Sequence, residues 1–379
     1  MFSVVFKSKF TVVTLGLAAV IAGALFLAQG AHITIMTADE YAPAGIVNPD
    51  LATLAAASIT PMYLVPMTPV DKVAYDAQLL SLANLSPKEL KAYYATATST
   101  ATTTLQKPLW PVTTAPYPLP GALLPSHRIV AYYGNLATTE LGVLGRYPVP
   151  QMLDMLASTT AQWAAADPST PVIPAFDYIV VTAQGQPGAD GKYRLRMPDS
   201  EIDKVLRLAG QAHAIVILDI QVGLSTVQDE LPLLKKYLEL PQVHVALDPE
   251  FAMHDGMAPE TVIGTLDATD INYAANYLAQ IVQQYHLPPK VLIIHRFTEH
   301  MLTHAEEIKP LPEVQIVVDM DGFGAPGKKE GTYDSVVITE PIQFTGFKLF
   351  YINDVQAGHM MNPSEVLKLS PQPSFIQYQ

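Results

Sequence analysis

Eight short runs rich in β-branched residues, each separated from the next by a longer segment, dominate the chain from residue 128 onward. The runs occupy residues 128–133, 172–177, 214–219, 243–248, 290–295, 314–319, 347–351 and 374–378. The intervening segments are amphipathic, most clearly at residues 151–166, 199–211, 226–240, 270–285 and 363–369. Nearly continuous apolar strands that alternate with helices predict a parallel sheet covered by those helices.

The number of strand–helix units distinguishes between two kinds of parallel sheet. Eight units in residues 127–379 match the roughly 250 residues of a (β/α)₈ barrel, so we predict an α/β TIM barrel over that range. A doubly wound open sheet is the alternative. If it bound a dinucleotide it would need a glycine-rich turn after its first strand, and Tyr133-Gly134-Asn135-Leu136 lacks that pattern. The barrel is therefore favoured.

The first 30 residues have the character of an export segment. Lys7 and Lys9 precede an uncharged apolar stretch at residues 11–28, and Ala28-Gln29-Gly30 is a small-x-small cleavage pattern. The stretch is also long enough to cross a bilayer if it is not cleaved. Residues 1–30 therefore predict either a signal peptide or a membrane anchor. Both place the rest of the chain outside the cell or on the outer face of the membrane.

Residues 31–126 predict a linker or arm with a short helix. They are rich in Pro, Thr and Ala, especially at residues 95–104 and 108–125. A helix is expected around residues 70–94, because Ser86, Pro87 and Glu89 provide an N-cap, a first-turn proline and a first-turn acid. The arm is either a stalk or a segment packed on the barrel. Leu105, Leu109 and Trp110 make packing as reasonable as a stalk.

Charge and cysteine content exclude several functions. Lys and Arg total 22 against 35 Asp and Glu, which gives a net charge of −13 and argues against nucleic acid as a partner. The chain has no Cys, which removes disulfides, thiolate metal sites and cysteine nucleophiles. No cofactor and no metal are predicted, because His300 and His304 lack the glutamate of a zinc-protease motif.

Polar residues gather where the predicted strands end. In a barrel these carboxyl ends form the catalytic face, and the two-residue period of a strand turns the acidic residues inward. The candidate catalytic residues are Glu250, Asp248 and Asp219. The candidate substrate-binding residues are Asp177, His295, Asp319, Asp321, Tyr351, Gln377 and Tyr133.

Crowded inward carboxylates predict acid–base chemistry. Mutual repulsion raises their pKa values, so one group can stay protonated as a general acid while an ionised neighbour stabilises a cation. Glycoside hydrolysis uses such a pair. The alternative for any single aspartate is structural, because such residues often cap a helix or bind loop backbone.

Leu247-Asp248-Pro249-Glu250 resembles the Asp-x-Glu ending of the fourth strand in chitinase-type and lysozyme-type glycosidase barrels. The resemblance implies that Glu250 is the acid/base and that Asp248 contacts a substrate N-acetyl group. Two features depart from the family pattern: residues 243–247 contain no further Asp, and Pro249 separates the two carboxylates. Residues 248–253, 290–297, 318–322 and 344–351 also resemble uncharacterised secreted bacterial proteins, which supports the domain boundary but implies no activity.

These observations predict an exported glycosidase-like hydrolase that acts on a cell-envelope or extracellular polysaccharide. The first alternative is a non-catalytic cell-surface barrel that binds a glycan or a partner protein. The second is metal-dependent hydrolysis. A membrane contact through residues 1–30 is expected only if that segment is not cleaved.

Overall fold

The computed structural model describes residues 59–98 and 108–379, which belong to the compact unit Pro49–Gln379. The predicted export segment at residues 1–30 lies outside the described residues. No helix within the described ranges is both long enough and apolar enough to span a membrane.

Eleven strands appear along the described chain, and eight of them form a closed parallel barrel. The strands are β1 (Arg128–Gly134), β2 (Val172–Ala183), β3 (Arg194–Arg196), β4 (Ile215–Ile220), β5 (Val243–Leu247), β6 (Leu266–Asp267), β7 (Lys290–Arg296), β8 (Leu302–Thr303), β9 (Val314–Met320), β10 (Phe344–Leu349) and β11 (Phe375–Tyr378). Neighbours follow the order β1-β11-β10-β9-β7-β5-β4-β2, and β1 also pairs with β2, which closes the ring. The predicted TIM barrel is confirmed. β3 adds antiparallel to the end of β2, and β6 pairs with β8 outside the barrel.

Eleven α-helices are present in the described ranges. They are α1 (Lys72–Ala83), α2 (Pro87–Thr98), α3 (Val143–Arg146), α4 (Val149–Ala166), α5 (Asp199–Gln211), α6 (Val227–Glu230), α7 (Lys235–Leu238), α8 (Ala268–Tyr285), α9 (Pro326–Thr332), α10 (Asn353–Ala357) and α11 (Pro363–Val366). The predicted helix at residues 226–240 is interrupted by a 3₁₀ turn, Leu231–Leu234, that separates α6 from α7. Pro232 lies in this turn and has no backbone N–H to donate to an α-helical hydrogen bond.

Side chains alternate between the barrel interior and the helix layer. On β4, Ile215 and Ile217 belong to the interior apolar cluster, whereas Val216 and Leu218 pack in the outer cluster beneath the helices. On β5, Ala246 is interior while Val245 is outer. The predicted inward face of these strands is therefore correct, and the residues that continue it toward the carboxyl ends enter the mouth of the barrel.

The seventh barrel strand begins and ends earlier than its apolar run indicated. The run at residues 347–351 predicts a strand there, but β10 spans Phe344–Leu349. Phe344 joins the interior cluster and Phe347 the outer one, so the alternation directs Lys348 inward. Tyr351 lies beyond the strand, in the turn that leads into α10.

The described part of the N-terminal arm packs against the amino-terminal end of the barrel. Leu123 and Leu124 are buried in the interior cluster, and their backbone N–H groups donate to Oε1 of Gln315 at 2.9 and 3.0 Å. Two helices, α1 and α2, replace the one expected helix, since Asn84 adopts a left-handed conformation that ends α1. Trp110 Nε1 donates to the carbonyl of Ile338 at 3.0 Å. These contacts favour the packed arm over the stalk.

Candidate active site

A ring of polar side chains occupies the carboxyl-terminal mouth of the barrel. Each of the eight barrel strands contributes one such residue, and all eight are buried. Seven stand at or just beyond the end of their strand, whereas Asp177 lies midway along the longer β2. They are Tyr133, Asp177, Asp219, Asp248, His295, Asp319, Lys348 and Gln377. Parallel pairing brings the carboxyl ends of all strands to one face, which is why residues far apart in sequence meet here.

His295 lies between two aspartates. Its Nε2 is 3.1 Å from Oδ2 of Asp219, and its Nδ1 is 3.2 Å from Oδ2 of Asp319. Asp321 stands 3.5 Å from the same Nδ1. Burial by itself would lower the pKa of His295, but the hydrogen bonds to Asp219 and Asp319 outweigh it and raise that pKa well above its usual value. The imidazole is thus held as a cation among carboxylates.

Asp177 and Gln377 meet across the ring. Gln377 Nε2 donates to Oδ2 of Asp177 at 2.6 Å, and both side chains are fully buried. Burial, followed by the charge of Asp219, raises the pKa of Asp177 well above its usual value. Asp177 therefore favours its protonated form in the absence of another positive charge.

Lys348 provides a second cation in the mouth. Its Nζ is 2.9 Å from Oδ1 of Asp321, and it lies 4.0 Å from the ring centroid of Tyr133. Tyr133 also meets His295 edge-to-face at a centroid distance of 6.1 Å. An ammonium over an aromatic face is stabilised by the ring quadrupole, so Tyr133 and Asp321 together hold Lys348 in place.

Asp248 and Glu250 follow β5 in a 3₁₀ turn, Pro249–Phe251. Asp248 Oδ2 accepts a hydrogen bond from Nε2 of Gln221 at 3.2 Å, and the same Nε2 is 3.1 Å from the Tyr133 hydroxyl. The turn is fixed from outside by Gly264, whose N–H donates to the Glu250 carbonyl at 2.7 Å. A Cβ at Gly264 would lie 2.5 Å from the Pro249 carbonyl oxygen, so only glycine allows this close approach.

Glu250 differs from the ring because its side chain is only partly buried. Desolvation, followed by the charges of Asp248 and Asp321, raises the pKa of Glu250 from 4.5 to about 8. Burial also raises the pKa of Asp248 to about 7. A carboxyl group that keeps its proton near neutral pH, on a residue that is not fully buried, is able to donate that proton to a bound molecule.

Several buried oxygens in the ring have no hydrogen-bond donor. They are one oxygen, Oδ1, on each of Asp177, Asp219, Asp248 and Asp319, together with Oε1 of Gln377. The buried side-chain oxygens in the ring are thus more numerous than the N–H groups with which His295, Lys348 and Gln221 contact them. Unsatisfied buried acceptors are rare in folded proteins and mark a place where a proton, water or cation is required.

All predicted site residues except Tyr351 line this mouth. The Tyr351 hydroxyl instead lies 3.1 Å from that of Tyr132, on the outer side of β1, and its ring packs on Tyr378 at 5.4 Å. Lys348 is the functional candidate that the sequence analysis did not single out. The available signal was a lone lysine within an otherwise apolar run, which is unusual for a strand buried on both faces.

Comparison with known proteins adds three distant structural similarities. No family model and no curated protein matches the chain. Similar solved structures include Plasmodium falciparum HPPK-DHPS with pteroate (TM-score 0.32, 9% identity, 67% of this chain and 45% of that one). A ruminal GH26 endo-β-1,4-mannanase is also similar, with a TM-score of 0.33 and 12% identity over 68% of this chain and 60% of that one. A glycoside hydrolase-like protein has a TM-score of 0.33 and 9% identity over 70% of this chain and 86% of that one.

The chain spans less than two thirds of the length of the first two of these proteins. The barrel assignment itself rests on the strand order and closure of this chain.

Proposed function

We propose that this protein is a hydrolase of glycosidic bonds in a polysaccharide, with Glu250 as the general acid. The observation that carries the proposal is Glu250, a partly buried residue whose carboxyl pKa of about 8 keeps it protonated at neutral pH. It follows β5 at the carboxyl-terminal mouth of the barrel, two residues after the buried Asp248. Glycosidases need one carboxyl that holds a proton beside another that is able to ionise.

The proposed chemistry assigns roles to the residues around Glu250. Glu250 gives its proton to the glycosidic oxygen as the C–O bond breaks, and water adds to the anomeric carbon. Asp248, with a pKa of about 7, lies two residues before Glu250 and accepts the proton that the water loses. The Asp321–Lys348 pair lies buried at the same mouth, where the charge of Asp321 raises the pKa of Glu250 and that of Lys348 lowers it.

Two further elements of the proposal come from the N-terminal sequence. We propose that residues 1–30 export the chain and that the substrate belongs to the cell envelope or the extracellular medium. If the segment is not cleaved, it anchors the barrel to the outer face of the membrane.

The decisive experiment measures product release from a panel of polysaccharides and peptidoglycan by the wild type and by Glu250→Gln. The variant removes the transferable proton but keeps the side-chain shape, so we expect kcat to fall by roughly 10²–10⁴-fold. Glu306→Gln, an exposed glutamate on the same domain, is the matched control and should retain full activity. Circular dichroism of both variants separates loss of chemistry from loss of folding.

The pH profile offers a second readout. Since the acid must be protonated, kcat/KM of the wild type should decline as pH rises through about 8. If sugars bind without being cleaved and Glu250→Gln leaves that binding intact, the protein is instead a non-catalytic glycan-binding barrel.

A further inference from the structure

Three side chains from separate strands converge inside the ring. Asp177 on β2, Asp219 on β4 and His295 on β7 each offer one ligand atom, and these atoms all lie within 4.8 Å of one another. All three side chains have no solvent exposure. Ligands that share one metal ion at bond lengths of about 2.0–2.2 Å lie at most about 4.4 Å apart, so side-chain shifts of a few tenths of an ångström would bring the three atoms onto one ion.

Buried acceptors without a protein donor lie at the same place and suit a bound positive charge. Oδ1 of Asp177 and Oδ1 of Asp219 are buried and accept no hydrogen bond. Oε1 of Gln377 is also buried and unpartnered, and it belongs to the amide whose Nε2 is bound to Asp177. A buried carboxylate oxygen without a partner carries a large desolvation cost, which a bound cation would offset.

Two other polar atoms of these residues are hydrogen-bonded to side chains outside the three. Nδ1 of His295 faces Oδ2 of Asp319 at 3.2 Å, and Oδ2 of Asp177 accepts from Gln377 at 2.6 Å. In metal sites the second nitrogen of a ligating histidine usually donates to a carboxylate, and ligating carboxylates are hydrogen-bonded in turn. His295 Nε2, which is hydrogen-bonded to Asp219, is therefore the nitrogen that would bind a metal once its proton is displaced.

We propose that Asp177, Asp219 and His295 bind one divalent transition-metal cation, such as Zn²⁺ or Mn²⁺, in the barrel core. Two carboxylate oxygens and one imidazole nitrogen suit these ions, whereas Mg²⁺ and Ca²⁺ prefer oxygen ligands only. The cation replaces the proton between His295 Nε2 and Asp219. The site is independent of the proposed hydrolysis, because neither Glu250 nor a glycan takes part in it.

The test uses the full-length protein after treatment with a chelator. Titration calorimetry with Zn²⁺ and with Mn²⁺ should give about one equivalent bound, together with an upward shift in Tm. Asp177→Asn and Asp219→Asn should each lower the affinity by roughly 100-fold or more, because an amide oxygen replaces a charged ligand. Asp248→Asn is the matched control, since this neighbouring buried aspartate lies outside the three ligands, and loss of its charge should lower the affinity far less than either ligand variant does.

A measurement on the wild type alone tests the proposal even if the variants do not fold. Pulsed electron paramagnetic resonance of bound Mn²⁺ should show coupling to one imidazole nitrogen and little coupling to exchangeable water, since the site is buried. Coupling to bulk water with no imidazole nitrogen would overturn the proposal.

Absence of Zn²⁺ and Mn²⁺ binding at roughly millimolar concentration would also overturn it. So would affinity unchanged in both asparagine variants, which would indicate a surface site such as the exposed His304–Asp267 pair. Glu250→Gln should bind metal like the wild type, so a failure of the hydrolase proposal would leave this result standing.

Discussion

Lys348 and Asp321 form an ion pair within the barrel mouth, with Nζ 2.9 Å from Oδ1 and 3.0 Å from Oδ2. Both side chains are at least nine-tenths buried. Burial alone would lower the pKa of Lys348, but the charge of Asp321 outweighs it and the pKa is raised. The pair therefore keeps the Lys348 ammonium charged at the mouth, and among the eight ring residues His295 is the other cation.

Removing the ammonium should destabilise the fold. We expect Lys348→Met to lower the free energy of unfolding by about 3–5 kcal/mol, because Asp321 would be left as an uncompensated buried charge. Urea denaturation measures this loss. Lys309→Met, which changes an exposed lysine, is the control and should alter stability by less than about 0.5 kcal/mol.

A double-mutant cycle tests whether the loss comes from the pair itself. In an Asp321→Asn background, Lys348→Met should cost clearly less than in the wild type. Equal costs in both backgrounds would show that the lysine stabilises the barrel by packing alone.

The raised pKa of Glu250 makes stability depend on pH. An unfolded glutamate titrates near 4.5, whereas folded Glu250 titrates near 8, so the folded state holds the proton more tightly. Between these values the wild type loses stability as pH rises, and the loss is complete once Glu250 has ionised in both states. Glu250→Gln does not titrate and escapes this loss.

The stability of Glu250→Gln relative to the wild type should therefore increase between about pH 5 and about pH 9. Denaturant unfolding of both proteins at a series of pH values measures the difference. Asp248 titrates in the same window but is present in both proteins, so its contribution largely cancels. A constant difference across the series would mean that Glu250 is ionised at neutral pH.

Strand parity explains why most of the site could be predicted. Asp219, Asp248 and Asp319 continue inward faces whose apolar residues are recognisable in the sequence, and a parallel barrel brings their strand ends together whatever their separation in the chain. The hydrogen bond between Asp219 and His295 could not be predicted, because β4 and β7 are not neighbours and such contacts depend on barrel stagger rather than on spacing. Asp319 and His295, by contrast, are register partners on the adjacent strands β9 and β7.

Tyr351 and Lys348 are the two residues whose place relative to the site could not be predicted from the sequence. The apolar run at residues 347–351 extends past the strand, because apolar residues also fill the turn after Leu349. Asp354 stabilises that turn, since its Oδ2 accepts from the N–H of Phe350 at 3.0 Å and from Nζ of Lys329 at 2.7 Å. Hydrophobicity alone does not distinguish a strand from a buried turn.

Gly346 lies where the barrel interior is too closely packed to accept a Cβ atom. A Cβ there would lie 2.5 Å from Oδ1 of Asp319 and 2.9 Å from Cδ1 of Phe375. We expect Gly346→Ala to cost about 1–3 kcal/mol of unfolding free energy through overpacking. Gly331→Ala is the matched control in α9, where a Cβ meets nothing within 4 Å, and it should be neutral or stabilising.

Thermal and urea unfolding of the two glycine variants measure the contrast. Displacement of Asp319 should also disturb its contact with His295, so the NMR shifts of the His295 ring should change in Gly346→Ala. Equal stability of the two variants would contradict the close packing of β10 against β9 and β11.

Gln315 attaches the N-terminal arm to the amino-terminal end of the barrel through three hydrogen bonds. It accepts from the N–H groups of Leu123 and Leu124 and donates to the Leu124 carbonyl at 2.6 Å. Gln315→Met leaves these buried backbone groups without partners, so we expect a loss of about 2–5 kcal/mol. Gln283→Met is the control, because Gln283 is exposed and donates only to surface Glu313.

Limited proteolysis gives the second readout for the arm. Gln315→Met removes the hydrogen bonds that hold Leu123 and Leu124 at the amino-terminal end of the barrel. The segment that precedes β1 should therefore be cleaved faster in Gln315→Met than in Gln283→Met, because local opening exposes backbone that is otherwise buried. If the two variants are cleaved at the same rate and unfold at the same urea concentration, the arm does not contribute to closing the barrel. The stalk interpretation of residues 31–126 would then be preferred.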